Sequence, residues 1–246
     1  MADLIVVLNA GSSSLKFTIY ANQENKPEPL FDGQIEGLFT ESRFKAKDGS
    51  GKVVAERTWP RSSALDHEGA IEALFAWGRG VLNSADRIVA VGHRVVHGGL
   101  RYTKPTLVND AVLADLEEFN PLAPLHQPHN LAAIRVLKKR SPDIPQVACF
   151  DTSFHTSIPA VAQAFGLPRK YTEQGVRRYG FHGLSYEYIS SVLPGVDPEA
   201  AKGRTIVAHL GNGASLCAML GLKSMACTLG FTAVEGLVMG TRCGTL

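Results

Sequence analysis

The hydrophobic pattern contains one arrangement twice, far apart. Near the start, Val7 and Leu8 end an apolar run, polar Asn9 follows, and Ala10-Gly11-Ser12-Ser13-Ser14 leads through Leu15 into a second apolar run. Downstream, Ala208-His209-Leu210-Gly211-Asn212-Gly213-Ala214-Ser215-Leu216 repeats the plan. An apolar run, a small glycine turn and a second apolar run predict strand, tight turn, strand. Glycine permits close approach of the backbone to a ligand, and turn N–H groups with serine hydroxyls can ring an anion. Two such hairpins suggest two related half-domains facing each other across a phosphate, although ordinary glycine turns would give the same local pattern.

Further elements follow from spacing. Residues 31–57 suggest short antiparallel strands around Gly49-Ser50-Gly51, and Ile71, Leu74, Phe75 and Val81 recur at helical intervals over 67–82. A short strand over 88–91 delivers Gly92-His93-Arg94-Val95-Val96-His97-Gly98-Gly99 at its end. Val112, Leu113, Leu116 and Phe119 predict a helix with Asn109 or Asp110 as N-cap. A proline-punctuated loop over 120–129 opens a helix carrying Leu131, Ile134 and Leu137. Residues 146–150 predict a strand with Asp151 at its carboxyl end, 184–193 a helix, and 205–210 the first arm of the second hairpin. Alternating strands and helices indicate an α/β protein, in which ligands gather beyond the carboxyl ends of strands. Asn9, Arg94, Asp151 and His209 are expected there. A boundary near Asp151 predicts domains over 1–150 and 151–246.

The length of 246 residues accommodates one large or two smaller domains, and 45% hydrophobic content supports a sizeable core. A net charge of +2 argues against nucleic-acid or membrane binding driven by bulk charge. Lys138-Lys139-Arg140 reads as a solvated helix end. Cys149, Cys217, Cys227 and Cys243 lack C-x-x-C spacing, so neither a zinc site nor a redox pair is expected. They read as reduced thiols of a cytosolic protein. The apolar run over 4–8 is too short for a signal peptide, and no stretch has the length of a membrane span.

The chemistry-bearing candidates sit at glycine-flanked positions. Arg94 can grip a carboxylate or phosphate in bidentate fashion. Asp151 either caps the turn begun by Thr152-Ser153 or works at a site. His182, in Arg178-Tyr179-Gly180-Phe181-His182-Gly183, is either a core histidine or a donor to a transferring phosphoryl group. Arg242, in Met239-Gly240-Thr241-Arg242-Cys243-Gly244, is placed as a phosphate clamp would be, yet near the chain end, where fraying is expected. His93 and His97 receive no role. The first turn is not a Walker P-loop: it lacks the second glycine and the Lys-Ser/Thr ending, and the segment after Lys16 reads as strand.

Taken together, these stretches resemble the acetate kinase family. The matching segments are Asn9-Ala10-Gly11-Ser12-Ser13-Ser14-Leu15-Lys16, Gly92-His93-Arg94-Val95-Val96-His97-Gly98-Gly99, Pro124-Leu125-His126, Phe150-Asp151-Thr152, residues 178–183, residues 209–215, and Gly230-Phe231-Thr232 through Gly240-Thr241-Arg242. They occur in the family's order. The resemblance implies an α/β, duplicated actin-like, ribonuclease H-like fold of the acetate and sugar kinase superfamily. It implies Asn9 near the metal ion, Mg2+ or Mn2+, and Ser12, Ser13 and Ser14 as a phosphate loop. Lys16 and His209, Leu210, Gly211, Asn212 and Gly213 match nucleotide contacts. Arg94 matches the substrate-carboxylate contact, and Val96, Leu125 and Phe181 a small pocket for the substrate methyl. Asp151 matches the catalytic acid, His182 and Arg242 stabilisers of the transition state, and His126 an active-site histidine. Ala233 stands where many members have proline.

The family continues beyond the Gly-Thr-Arg motif with adenosine contacts, a glycine-rich adenine loop, a distal glutamate for the metal and much of a homodimer contact. This sequence, ending at Gly244-Thr245-Leu246, therefore reads as lacking the C-terminal part, with an incomplete second domain. The expected reaction is reversible in-line transfer of the terminal phosphate of ATP to acetate, giving ADP and acetyl phosphate, without nucleic acid or membrane. Propionate or butyrate kinase activity, and a non-catalytic fragment that cannot bind adenosine, are the alternatives.

Overall fold

A computed structural model describes residues 2–23 and 26–245. It divides into two compact units. The first comprises the residues up to Val95 together with Thr106–Glu118 and Pro124–Ala148; the second comprises Val96–Pro105, Phe119–Ala123 and the chain from Cys149 onward.

The first unit is built on a mixed sheet. Strands β1 (Asp3–Ala10), β2 (Ser14–Gln23), β3 (Lys26–Glu36), β4 (Ser42–Asp48) and β5 (Val53–Trp59) form an antiparallel meander. Helix α1 (His67–Val81) returns the chain to β6 (Arg87–Val95), which pairs parallel to β1. Then come β7 (Thr106–Leu107), α2 (Asp110–Glu117), α3 (Gln127–Arg140) and β8 (Gln146–Phe150), giving the order β5-β4-β3-β2-β1-β6-β8-β7. Alternation decides the faces. Leu4, Val6, Leu8 and Ala10 of β1 join Leu15, Phe17 and Ile19 of β2 in the core, packed with Ile71, Leu74, Ala133 and Leu137 of the helices. Side chains of opposite parity fall on the other face.

The second unit contains α4 (Ala160–Gln163), α5 (Arg169–Glu173), α6 (Gly183–Val196) and α7 (Pro198–Lys202). They are followed by β9 (Arg204–Leu210), β10 (Ala214–Leu220) and β11 (Lys223–Cys227), a three-stranded antiparallel sheet in the order β11-β10-β9. Val96, Ala123, Tyr179, Phe181, Ala214, Leu229 and Met239 form one apolar cluster; Tyr186, Cys217 and Met219 form another.

Most expected elements are present, with instructive differences at their ends. The strand expected over 88–91 runs to Val95, because Val7 and Leu8 of β1 continue the ladder opposite Gly92 and His93. Arg94 therefore lies inside a strand and not in a following turn. Helix α2 uses Asn109 as its cap, Oδ1 accepting from Val112 N at 2.9 Å, but stops before Phe119, where a 3-10 turn with Pro121 begins. Helix α6 runs through Pro194 to Val196; proline in a last turn sacrifices a single backbone bond. All four cysteines are free thiols. Among the described residues no helix is long and apolar enough to cross a membrane.

Candidate functional site

Three of the expected residues share one face of the first unit's sheet. Asn9 pairs directly with Lys16 across β1 and β2, and Leu8 pairs with His93, which places Arg94 beside Asn9 at the carboxyl ends of two parallel strands. Arg94 Nη1 donates to Asn9 Oδ1 at 3.2 Å. All three point away from the core face, because Leu8, Ala10, Leu15, Phe17, His93 and Val95 alternate onto it.

Between β1 and β2 the turn is three residues long, 11–13, closed by Gly11 N–H donating to the Ser14 carbonyl at 2.8 Å. Ser12 and Ser13 are exposed and Ser14 half-buried. Two side chains hold the carbonyls leading into this turn. Asn130 Nδ2 of α3 donates to the Ala10 carbonyl at 2.6 Å, and His67 Nε2 at the start of α1 donates to the Gly11 carbonyl at 2.7 Å. Neither residue was singled out by the sequence; partners more than fifty positions away leave no local pattern. Leu125, 65% exposed, and half-buried His126 immediately precede α3.

In the second unit Asp151 immediately follows β8 and is 1% exposed. Its carbonyl accepts from Gly183 N–H at 2.9 Å, and a Cβ on Gly183 would lie 2.0 Å from that oxygen, so only glycine allows the 180–183 loop to approach. The approach brings the Asp151 and His182 backbones together. His182 adopts φ 59°, ψ 20°, a left-handed conformation that costs about 1–2 kcal/mol in a non-glycine residue. His155 donates from Nε2 to the Phe181 carbonyl at 2.9 Å and contacts Ser224 Oγ through Nδ1 at 2.8 Å. Burial holds its pKa down to about 4, with the Phe181 carbonyl and the Asp151 carboxylate opposing the shift.

Turn 211–213 joins β9 and β10, and Gly211 N–H donates to the Gly213 carbonyl at 3.1 Å. A Cβ on Gly213 would sit 3.0 Å from His182 Nε2 and 3.2 Å from Arg242 Nη2. Both basic side chains therefore reach over this turn. Arg242 is not frayed. Its Nη1 donates to the Ala233 carbonyl, its own carbonyl accepts from Met239 N–H at 2.9 Å, and Gly240 N–H donates to the Asn212 carbonyl at 3.1 Å. The imidazoles of His182 and His209 stack with centroids 4.1 Å apart, and His209 Nδ1 lies 2.9 Å from Ser185 Oγ. Leu210, Gly211 and Asn212 are exposed. Val96 and Phe181, both expected in a small apolar pocket, belong to one cluster, with Ala233 packed against it.

The family follows from comparison. The family model described as the acetokinase family matches residues 4–246. The chain belongs to the acetokinase family. It is 51% identical to an acetate kinase of Rhodopseudomonas palustris (strain CGA009) over its whole length, which spans 62% of that relative. A solved propionate kinase from Francisella tularensis matches with TM-score 0.88 and 34% identity, over 99% of this chain and 62% of the other. The Porphyromonas gingivalis acetate kinase matches with TM-score 0.85 and 37% identity, over 100% and 62%. The α/β fold is that of solved acetate and propionate kinases, and the chain spans about three fifths of the length of these relatives.

Proposed function

We propose that the protein to which this chain belongs transfers the terminal phosphate of ATP to acetate, reversibly, giving ADP and acetyl phosphate. The supporting observation is the 51% identity to an acetate kinase across the whole chain. Acetate, with a carboxyl pKa near the carboxylate reference of about 4, is already ionised at neutral pH. The chemical problem is therefore repulsion between two anions, and positioned cations with neutral donors offset it. Arg94 holds the acetate carboxylate as a bidentate partner. Val96, Phe181 and Leu125 supply apolar contact for its methyl. Lys16, Ser12, Ser13 and Ser14, and the segment His209, Leu210, Gly211, Asn212 and Gly213 bind the nucleotide phosphates. His182 and Arg242 stabilise the transferring group, with His126 a further active-site histidine. Asp151, buried against the His182 loop, orients the site.

Among the described residues no cluster of three His, Cys, Asp or Glu side chains could hold a metal ion. Mg2+ takes hard oxygen ligands, substrate phosphates among them. Asn9 Oδ1 is such an oxygen, and Mn2+ would use the same atom. When bound, the ion neutralises charge on the phosphates. Domains over 1–150 and 151–246, a homodimer and a cytoplasmic location complete the proposal; four thiols without a disulfide suit a reducing compartment.

A propionate kinase is the second reading, with which the TM-score of 0.88 to a solved enzyme of that name is consistent. An acyl-phosphate assay with acetate, propionate and butyrate, ATP and Mg2+ tests both. Acetate giving the highest kcat/KM is expected; propionate leading selects the second reading, and no acyl phosphate from any acid overturns both.

A further inference from the structure

His182 is held from behind by two side chains with no role so far. Its Nδ1 lies 2.8 Å from Ser215 Oγ, and Ser215 Oγ is in turn hydrogen-bonded to the Tyr186 hydroxyl. Ser215 and Tyr186 are both 0% exposed. The three residues come from three places: the loop before α6, the second turn of α6, and β10 just past turn 211–213. Tyr186 N–H also donates to the His182 carbonyl at 3.2 Å, which ties the start of α6 to the histidine.

Counting protons gives the chain a direction. The Tyr186 oxygen takes a backbone hydrogen bond from His209, and burial pushes the phenol pKa up, so the group keeps its proton. That proton needs an acceptor, because a buried hydroxyl without one is costly. Ser215 Oγ is the acceptor in contact. The Ser215 proton is then left for one of two neighbours, His182 Nδ1 or the Cys227 thiol. A neutral imidazole nitrogen is a full acceptor and a thiol a weak one. The Ser215 proton goes to Nδ1, and the ring's own proton sits on Nε2. That nitrogen is the atom over Gly213, on the side where Arg242 Nη2 also reaches.

We propose that Tyr186 and Ser215 are positioning residues that fix His182 in the Nε2–H tautomer, so that the ring presents an N–H donor to an anionic oxygen above turn 211–213. This rests on the reading of His182 as a stabiliser of the transferring phosphate. The opposite tautomer would present a lone pair to that anion and repel it. A neutral donor held in advance also needs no proton from solvent.

The test is the tautomer of His182 in the 246-residue chain, read by long-range 1H–15N correlation on histidine-labelled protein well above the usual imidazole pKa of about 6.5. The His182 signal is assigned by its loss in His182→Gln. His155 is the internal control for folding, since its Nε2–H donates to the Phe181 carbonyl and does not depend on Ser215. The expected result is Nε2–H for His182 in the unaltered chain, and a mixture of tautomers in Ser215→Ala and in Tyr186→Phe with the His155 pattern unchanged. Should either variant lose the His155 pattern, the other variant and the unaltered chain decide. An Nδ1–H tautomer in the unaltered chain, or no change in a variant that keeps the His155 pattern, overturns the inference. Titration of the full-length protein with ATP and Mg2+ tests the underlying reading separately: an Nε2–H tautomer with no response of His182 to nucleotide would leave the positioning intact and remove its phosphate.

Discussion

The turns at 11–13 and 211–213 each link two antiparallel strands through three residues, yet they are supported in different ways. The first is held through its backbone. Asn130 and His67 grip the carbonyls of Ala10 and Gly11 from two helices. The second is met from outside by basic side chains, at His182 Nε2 and Arg242 Nη2, and by the backbone of Gly240. Glycine accordingly means different things in the two places. A Cβ on Gly11 would meet Ser14 Oγ at 3.4 Å, an ordinary contact, whereas one on Gly213 would press on both basic side chains. Similar spelling in the sequence conceals one turn gripped through its backbone and one with two basic side chains over it.

The largest expected effect follows from that contrast. Gly213→Val should lower kcat for acyl phosphate formation by about 10²–10³-fold, the loss typical of displacing an electrostatic stabiliser. Its melting temperature should fall far less than its kcat, because the nearest atoms to the new Cβ belong to side chains and not to backbone. Gly11→Val should lower kcat far less. Equal losses in the two variants would erase the distinction.

Acid should separate the units next. Burial pushes His93 in the first unit, and His97 and His155 in the second, down to about 4. Each ring is neutral when folded and titrates near 6.5 when unfolded, so its stabilising contribution is complete above about pH 6.5 and is lost as pH falls toward 4. Each contributes about 3 kcal/mol at most over that window. The first unit adds a smaller lowering at His129, caused by burial and then by the neighbouring His67. With two strongly depressed rings against one, the second unit should open first. Amide hydrogen exchange at successively lower pH checks this: protection should fall in β9 and β10 before β1 and β2, and the reverse order contradicts it.

The carbonyl grip is smaller. Asn130→Ala leaves the buried Ala10 carbonyl without its side-chain donor and should destabilise by about 1–3 kcal/mol in urea unfolding. A change near zero would show that the first turn holds itself.

How much of this could be read from residues alone depends on the range of the interaction. The hairpins, the strand ending at Asp151, the helix bearing Leu131, Ile134 and Leu137, and the Asn109 cap were all legible, because each is written within a few positions. The run of Arg94 inside β6 was not, since the ladder from β1 extends the strand through a glycine that would otherwise mark its end. Fraying was the rival expectation for Arg242, placed as a phosphate clamp would be, because position along the chain says nothing of the bonds to Ala233 and Met239. The glycine-flanked motif pointed to His182, but Ser215 and Tyr186 stayed invisible as a relay, because their partner lies across a hairpin and a helix start. Local elements were legible from their flanks; contacts that join distant segments, such as those of Ser215 with His182 and Tyr186, were not.

The smallest expected effect gives the finest probe of the two turns. Asn212 occupies the tip of the second turn, exposed, and the fold uses its backbone carbonyl, which accepts from Gly240 N–H at 3.1 Å. Alanine keeps that carbonyl. Removing the side chain of an exposed turn residue away from any buried contact typically changes stability by less than about 0.5 kcal/mol, so Asn212→Ala should unfold in urea almost as the parent does. If the second turn is shaped for access, the amide is there for the nucleotide phosphates, and KM for ATP should rise several-fold while the unfolding midpoint stays put. If the midpoint falls and KM does not move, Asn212 is a turn residue serving the fold, as the side chains around the first turn do, and the contrast between the two hairpins reduces to Gly213 alone.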